Sequence, residues 1–199
     1  MRYAHLVVRR DALGDEEILL AQRNVFLPPN ARYQFAAIAR HATQYIVPGG
    51  RIAPGESALH AALREFYEDS DVPLAPADTQ PLCVAGEHAF FVAAAPRELE
   101  LGRINAALAR GAARSAKSNN LTWVSIDSAA SWLGMKPEYQ HLPWVTEQIA
   151  RALAAGFRRE HLAPRVTDAH APFAQAIDVL RGTGGTIGLS RVQLSDGDR

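Results

Sequence analysis

The chain has almost no sulfur chemistry, no net charge and no long apolar run. One cysteine, Cys83, stands among 199 residues. No intrachain disulfide can form, so the fold rests on its own core, and a reducing, cytoplasmic setting is expected. One cysteine cannot build a zinc knuckle, and the seven histidines show no His-Glu-x-x-His spacing. Lysine plus arginine number 21, as do aspartate plus glutamate. That balance leaves no field suited to general nucleic-acid or membrane-surface binding. No apolar stretch approaches the roughly 20 residues of a membrane span. The N-terminal MRYAHLVVRR lacks the apolar core and cleavage site of a signal peptide, so none is expected. A Gly-x-Ser-x-Gly elbow is missing. The glycine-rich run from Gly182 to Gly188 places Ile187 where a dinucleotide loop needs its third glycine, and no Gly-Lys-Ser/Thr follows. That run reads as a flexible segment or an arm packing on a neighbour, the latter admitting a homodimer.

What is present suffices for one domain with a sizeable core. Tyr3 to Arg9 and Glu17 to Gln22 read as strands of a hairpin turning at Asp11 to Asp15. Pro28, Pro29 and Asn30 break the chain, and Ala31 to Arg40 reads as a short helix or a loop over a pocket. Arg32, Tyr33, Arg40 and His41 lie there, of a kind to contact a phosphate or stack on a base, and the preferred reading of each is an ordinary surface residue of an insertion. Gln44 to Val47 reads as a strand, and Leu82 to Ala85 with His88 to Ala94 as a hairpin turning at Gly86-Glu87. Ile104 and Leu108 suggest a helix, Gly111 to Asn120 a polar loop, and Leu121 to Ile126 a strand. Short helices are expected over Ser128 to Gly134 and Ala174 to Arg181. A longer one is expected from Pro137 to Phe157, with Trp144, Ile149, Leu153 and Phe157 on its buried stripe.

The most informative stretch is Gly49 to Val72, GGRIAPGESALHAALREFYEDSDV. Leu59, Ala62, Leu63 and Phe66 recur at helical spacing and form one face. Glu65, Glu68 and Asp69 stand at i, i+3 and i+4 and gather on another. Neighbouring acids at this spacing repel by a few tenths of a kcal/mol per pair. No lysine or arginine sits among them in sequence, and Arg64, one turn before Glu68, is placed to pair with that residue only. A divalent cation would remove the repulsion, and hard cations such as Mg²⁺ choose carboxylate oxygens. A solvated acidic face explains the same pattern in an arbitrary helix. His60, on the same helix, reads as a surface or packing residue.

The surroundings of this helix resemble the signature box of the Nudix hydrolase family. That box reads Gly, five residues, Glu, seven residues, then Arg-Glu-U-x-Glu-Glu-x-Gly-U, with U apolar. Here Gly50 is followed after five residues by Glu56, and after seven more by Arg64-Glu65-Phe66-Tyr67-Glu68-Asp69-Ser70-Asp71-Val72. Asp69 replaces the second glutamate of the pair. Asp71 replaces the glycine, and aspartate is among the residues that tolerate a left-handed turn after a helix. The resemblance implies an α/β fold, a mixed sheet sandwiched between helices, with residues 1–157 as the Nudix domain. Residues 158–199 would then be a C-terminal extension, packed or flexible. It implies hydrolysis of a nucleoside diphosphate linked to another group, a small nucleotide-type substrate. It also implies Mg²⁺ or Mn²⁺ held by Glu65, Glu68 and Asp69, with Glu56 and the Gly49 carbonyl as further ligands. Arg64 would orient the acids, and Arg64, Glu65 and Glu68 would form the catalytic group. A further acid that many members carry before a Trp-Val strand is missing here, because Ser118, Asn119 and Asn120 precede that strand. Glu87, Glu98 and Glu100 are substitutes to examine. The departures keep a second reading open, a Nudix-fold module that binds nucleotide without turning it over.

Overall fold

In the computed structural model, residues 1–24, 26–27, 37–38, 43–109, 117–133 and 171–182 are described. The insertion residues Arg32, Tyr33, Arg40 and His41, the helix expected from Pro137 to Phe157, and the run after Gly182 lie outside them. Strand β1 (Tyr3–Ala12) and strand β2 (Asp15–Arg23) form the antiparallel hairpin, paired Arg9↔Ile18 through Ala12↔Asp15. The turn is tighter than expected. Leu13 and Gly14 alone make it, at φ 57° and 92°, because two positive-φ residues give a turn whose twist matches that of the strands. Short strands β3 (Phe26–Leu27) and β4 (Ala37–Ile38) pair separately, the latter within the segment read as helix or loop. Strands β5 (Tyr45–Ile46) and β6 (Gly49–Arg51) lead into helix α1 (Ala58–Ser70).

Strands β7 (Thr79–Ala85) and β8 (His88–Ala94) form the expected second hairpin, with Gly86 at φ 58° in its turn. The β7 register shifts between Pro81 and Cys83, where proline has no N–H to give the ladder. After helix α2 (Leu101–Ala109) come strand β9 (Ser118–Ser125), helix α3 (Ile126–Leu133) and helix α4 (Ala171–Gly182). The sheet order is β5-β2-β1-β8-β7, with β6 added to β1 and β9 to β2. It is mixed, since β1 and β8 run parallel from Tyr3↔His88 to Arg9↔Ala94 while the other pairs are antiparallel.

Two local expectations change. Ser118, Asn119 and Asn120 belong to β9, not to a loop, because Ser118 and Asn120 pair with Arg23 and Gln22 at the end of β2 and because Asn105 of α2 clamps Leu121. Asn105 Nδ2 donates to the Leu121 carbonyl and its Oδ1 accepts from the Leu121 N–H, both at 2.8 Å. Ile126, expected at the end of this strand, opens α3.

Residues 4–8 of β1 and 18–23 of β2 are buried without a break, which requires cover on both faces of the sheet. On one face Phe173 of α4 stands edge-on to His5 and Phe90, at ring distances of 4.9 and 5.8 Å. His5 and His88, both buried, stack there between Tyr3 and Phe90, and His5 Nε2 lies 2.9 Å from His88 Nδ1. Phe90 and Phe91, neighbours on β8, are both buried. The tail segment thus joins the main core, through Phe173, Ala176, Ile177 and Leu180. Arg181 ties it to α3 by donating to the Ile126 and Asp127 carbonyls at 2.7 Å.

Helix α1 packs on β1, β6 and β8. It forms where expected for local reasons. Ser57 caps its start, the hydroxyl accepting from the His60 N–H at 3.2 Å. At its end Asp71 takes the left-handed conformation, φ 57° and ψ 20°, and its N–H reaches the Tyr67 carbonyl at 2.8 Å. Ala62, Leu63 and Phe66 are buried as the stripe requires, Leu59 partly, and His60 is exposed. Phe66 is fully enclosed, so Phe66→Ala should destabilise by about 3–5 kcal/mol. Urea unfolding measures this. A cost under about 1 kcal/mol would mean that the helix does not draw its stability from this face.

Candidate active site

The acids of α1 meet two cations. Arg64 is the first, and it binds more than Glu68. Its Nε and Nη2 fork onto Glu56, at 2.8 Å to Oε1 and 3.0 Å to Oε2. Its Nη1 donates to Oε1 of Glu65 and to Oε1 of Glu68, both at 2.9 Å, and its Nη2 also reaches the Arg51 carbonyl at 3.1 Å. The pairing expected with Glu68 alone is therefore corrected. The 53–57 loop folds back so that Glu56 faces the helix, its Oε2 accepting from the Ala53 N–H at 3.0 Å. Arg64 thus fastens loop to helix and aims two carboxylates at once.

Lys117 is the second cation. Its Nζ lies 2.7 Å from Glu65 Oε2 and 2.7 Å from Glu68 Oε2. A lysine does sit among the acids, against the sequence expectation, and it comes from 52 residues beyond Glu65. The Asn24 N–H holds the Lys117 carbonyl at 2.9 Å, and Ser118 pairs with Arg23 where β9 meets β2. Sequence spacing carries no signal for this approach; the strand pairing creates it.

Glu65 is nearly buried and lies over Gly50, where a Cβ would overlap its carboxylate carbon and both oxygens. This close approach gives Gly50 its place in the motif. Gly49 opens β6 opposite His5. Asp69 is turned inward. It is buried, with the Ser118 hydroxyl and the Arg23 guanidinium as its polar neighbours. Its charge faces Arg23, also buried, whose Nε and Nη1 have no hydrogen-bond partner among the described residues. Sequence reasoning missed Arg23 as well; an arginine following the apolar run Ile18 to Ala21 on the same strand was the available signal.

Charge states follow from these contacts. Burial dominates at Asp69 and pushes its carboxyl up, with Arg23 and Lys117 opposing. Burial also works to raise Glu68, but Lys117 and then Arg64 outweigh it and the carboxyl falls below its usual range. Lys117 stays firmly protonated: burial pulls it down, while Glu65 and Glu68 together push it above the ordinary lysine value. Glu56, hydrogen-bonded to Arg64, is drawn down to about 2 from 4.5.

A depressed carboxyl stabilises the fold above its unfolded pKa and loses that contribution as pH falls through the folded value. The Glu56 contribution is therefore complete above about pH 4.5 and lost toward pH 2. Glu56→Gln should be less stable than wild type at neutral pH, with the gap closing across that window. Denaturant midpoints at several pH values test it, and a constant gap down to pH 2 would assign the loss to packing.

Among the described residues, no three of His, Cys, Asp and Glu are grouped to hold a metal ion. Of the five expected ligands, Glu65 and Glu68 converge, on the point that the Lys117 ammonium marks. Both Glu56 oxygens are taken by Arg64. Two convergent carboxylates still fit Mg²⁺, which is often held by one or two carboxylates and completed by water and substrate phosphate. The substitutes for the missing later acid lie elsewhere. Glu87 pairs with Arg2 at 3.3 Å in the β7–β8 turn, and Glu98 and Glu100 are exposed ahead of α2.

Several solved structures are similar in fold at low identity. A MutT/nudix family protein from Listeria innocua is 20% identical, over 77% of this chain and 92% of that one, with a TM-score of 0.43. An Ap4A hydrolase from C. elegans is 20% identical, over 78% of this chain and 99% of that one, with a TM-score of 0.40. A MutT/nudix family protein from Enterococcus faecalis is 15% identical over 62% of this chain, with a TM-score of 0.43, and there the chain spans only 42% of the other's length. No curated protein matches. No described helix is long and apolar enough to cross a membrane. The model of the NUDIX domain matches residues 2–145, a span that holds the acids of α1, Arg23, Arg64 and Lys117, and on that match the chain belongs to the NUDIX domain family.

Proposed function

We propose that this chain hydrolyses the phosphoanhydride bond of a nucleoside diphosphate linked to a second group, with Mg²⁺ or Mn²⁺ as cofactor and Glu65 and Glu68 as its protein ligands. The observation that carries this is the convergence of these two carboxylates on one cation position, aimed there by Arg64. When bound, the metal neutralises the diphosphate and lowers the pKa of a water for attack on phosphorus. The chain's own part is positioning. Arg64 holds Glu65 and Glu68 in one orientation while Glu56 fixes Arg64 to the loop. Gly50 leaves room for the Glu65 carboxylate. The depressed Glu68 pKa keeps that carboxylate ionised at neutral pH.

A second reading, nucleotide binding without turnover, is favoured by one observation: Lys117 already balances part of the acid charge. Incubation with nucleoside diphosphate sugars, ADP-ribose, dinucleoside polyphosphates and nucleoside triphosphates, in Mg²⁺, in Mn²⁺ and in EDTA, separates the two. A product that needs the metal supports the hydrolase. Nucleotide binding by calorimetry with no product from any of them supports the module.

A further inference from the structure

We propose that Lys117 is a tethered cation that holds the Glu65–Glu68 position against free divalent metal, so that metal enters only in exchange for it. The proposal rests on the hydrolase reading for the identity of the metal, and on geometry for the exchange. Glu65 and Glu68 present four carboxylate oxygens, and each is engaged: the two Oε1 atoms by Arg64 Nη1 at 2.9 Å, the two Oε2 atoms by Lys117 Nζ at 2.7 Å. Each oxygen keeps a second lone pair, but the Lys117 ammonium sits where the two Oε2 atoms converge, so a metal bridging them takes its place. Arg64 is further fastened by the fork to Glu56 and by the Arg51 carbonyl, all within the stretch from β6 to α1. Lys117 reaches the acids from the start of β9, and an ammonium on a flexible four-carbon stem is the readier to leave.

Charge gives the exchange a direction. Glu56, Glu65 and Glu68 carry three negative charges against the two positive charges of Arg64 and Lys117, and a dication in place of the ammonium removes the remaining one. Mg²⁺ dehydrates reluctantly, however, and a site already balanced in part offers less to draw it in. A metal carried on a diphosphate brings its own oxygen ligands and offers the displaced ammonium an anion to face. The acid pair is thus self-screened without nucleotide, and metal and nucleotide arrive together.

The test is Mn²⁺ binding to the full chain, read from loss of the free-ion paramagnetic resonance signal, with and without ADP, each against the same Mn²⁺ and ADP mixture lacking protein. Wild type should bind Mn²⁺ weakly alone and more tightly with ADP. Lys117→Met, which removes the charge and keeps an unbranched stem, should bind Mn²⁺ alone about tenfold more tightly, a difference of about 1.4 kcal/mol. Lys117→Arg should stay near wild type. Melting curves in EDTA establish that the variants fold, and Lys117→Gln is read if the Met variant does not. Equal Mn²⁺ affinity in wild type and the uncharged variant overturns the proposal and leaves the metal site standing. No Mn²⁺ bound by either protein, with or without ADP, overturns the hydrolase reading and this proposal with it.

Discussion

Glu68→Gln is expected to lower turnover on the order of a hundredfold or more while leaving the fold almost untouched. The activity loss follows from its place, since Glu68 gives one of the two carboxylates that converge on the cation position. The small stability effect follows from opposing terms of similar size. The variant loses pairs with Arg64 and Lys117 through a side chain that is 31% exposed, and such pairs are worth about 0.2–1 kcal/mol. It also relieves the i,i+3 repulsion with Glu65, a few tenths of a kcal/mol. Arg64 keeps Glu56 and Glu65, and Lys117 keeps Glu65. Turnover and the melting curve in EDTA, measured on one preparation, check both halves. Turnover within about threefold of wild type would remove Glu68 from the site. A melting temperature lower by more than about 5 °C would make it a structural residue.

Gly50→Ala should be nearly as damaging to activity, by a different route. The new Cβ would overlap the Glu65 carboxylate, which is the far end of a flexible side chain and not backbone. The strand therefore stays, and Glu65 moves. Moving it breaks the contacts at 2.9 Å to Arg64 and 2.7 Å to Lys117 and shifts one of the two converging acids. A misplacement of about 1 Å can cost on the order of a hundredfold in rate, and that loss is expected here, with at most about 1–3 kcal/mol of stability. Gly102→Ala is the control, because on α2 its Cβ meets nothing within 4 Å. That change should stabilise by about 0.5–1 kcal/mol and leave turnover alone. Full activity in Gly50→Ala would show that the Glu65 position does not matter to the chemistry.

Helix α1 was legible from sequence because its determinants are local: the Ser57 cap, the apolar stripe through Phe66, and an aspartate able to take the left-handed turn at position 71. The two hairpins were legible for the same reason, since alternation and turn residues lie within a dozen positions of one another. The spacing of Arg64-Glu65 and Glu68 likewise marks the proposed site by itself, because these residues lie on neighbouring turns of one helix. The state of that site was not legible. Spacing placed Glu65, Glu68 and Asp69 on a shared face, but packing against the sheet buries Asp69 beside Arg23 and leaves Glu65 and Glu68 to converge without it.

The amino-acid sequence by itself determined the elements and the chemistry on offer, because caps, turns and periodicity act between residues a few positions apart. Only the tertiary structure decided which charges meet. Lys117 reaches the acids because β9 pairs with β2 and Asn24 holds the Lys117 carbonyl, contacts that join residues about a hundred positions apart. Register between distant strands is set by burial across the whole sheet, and no spacing within one helix encodes it.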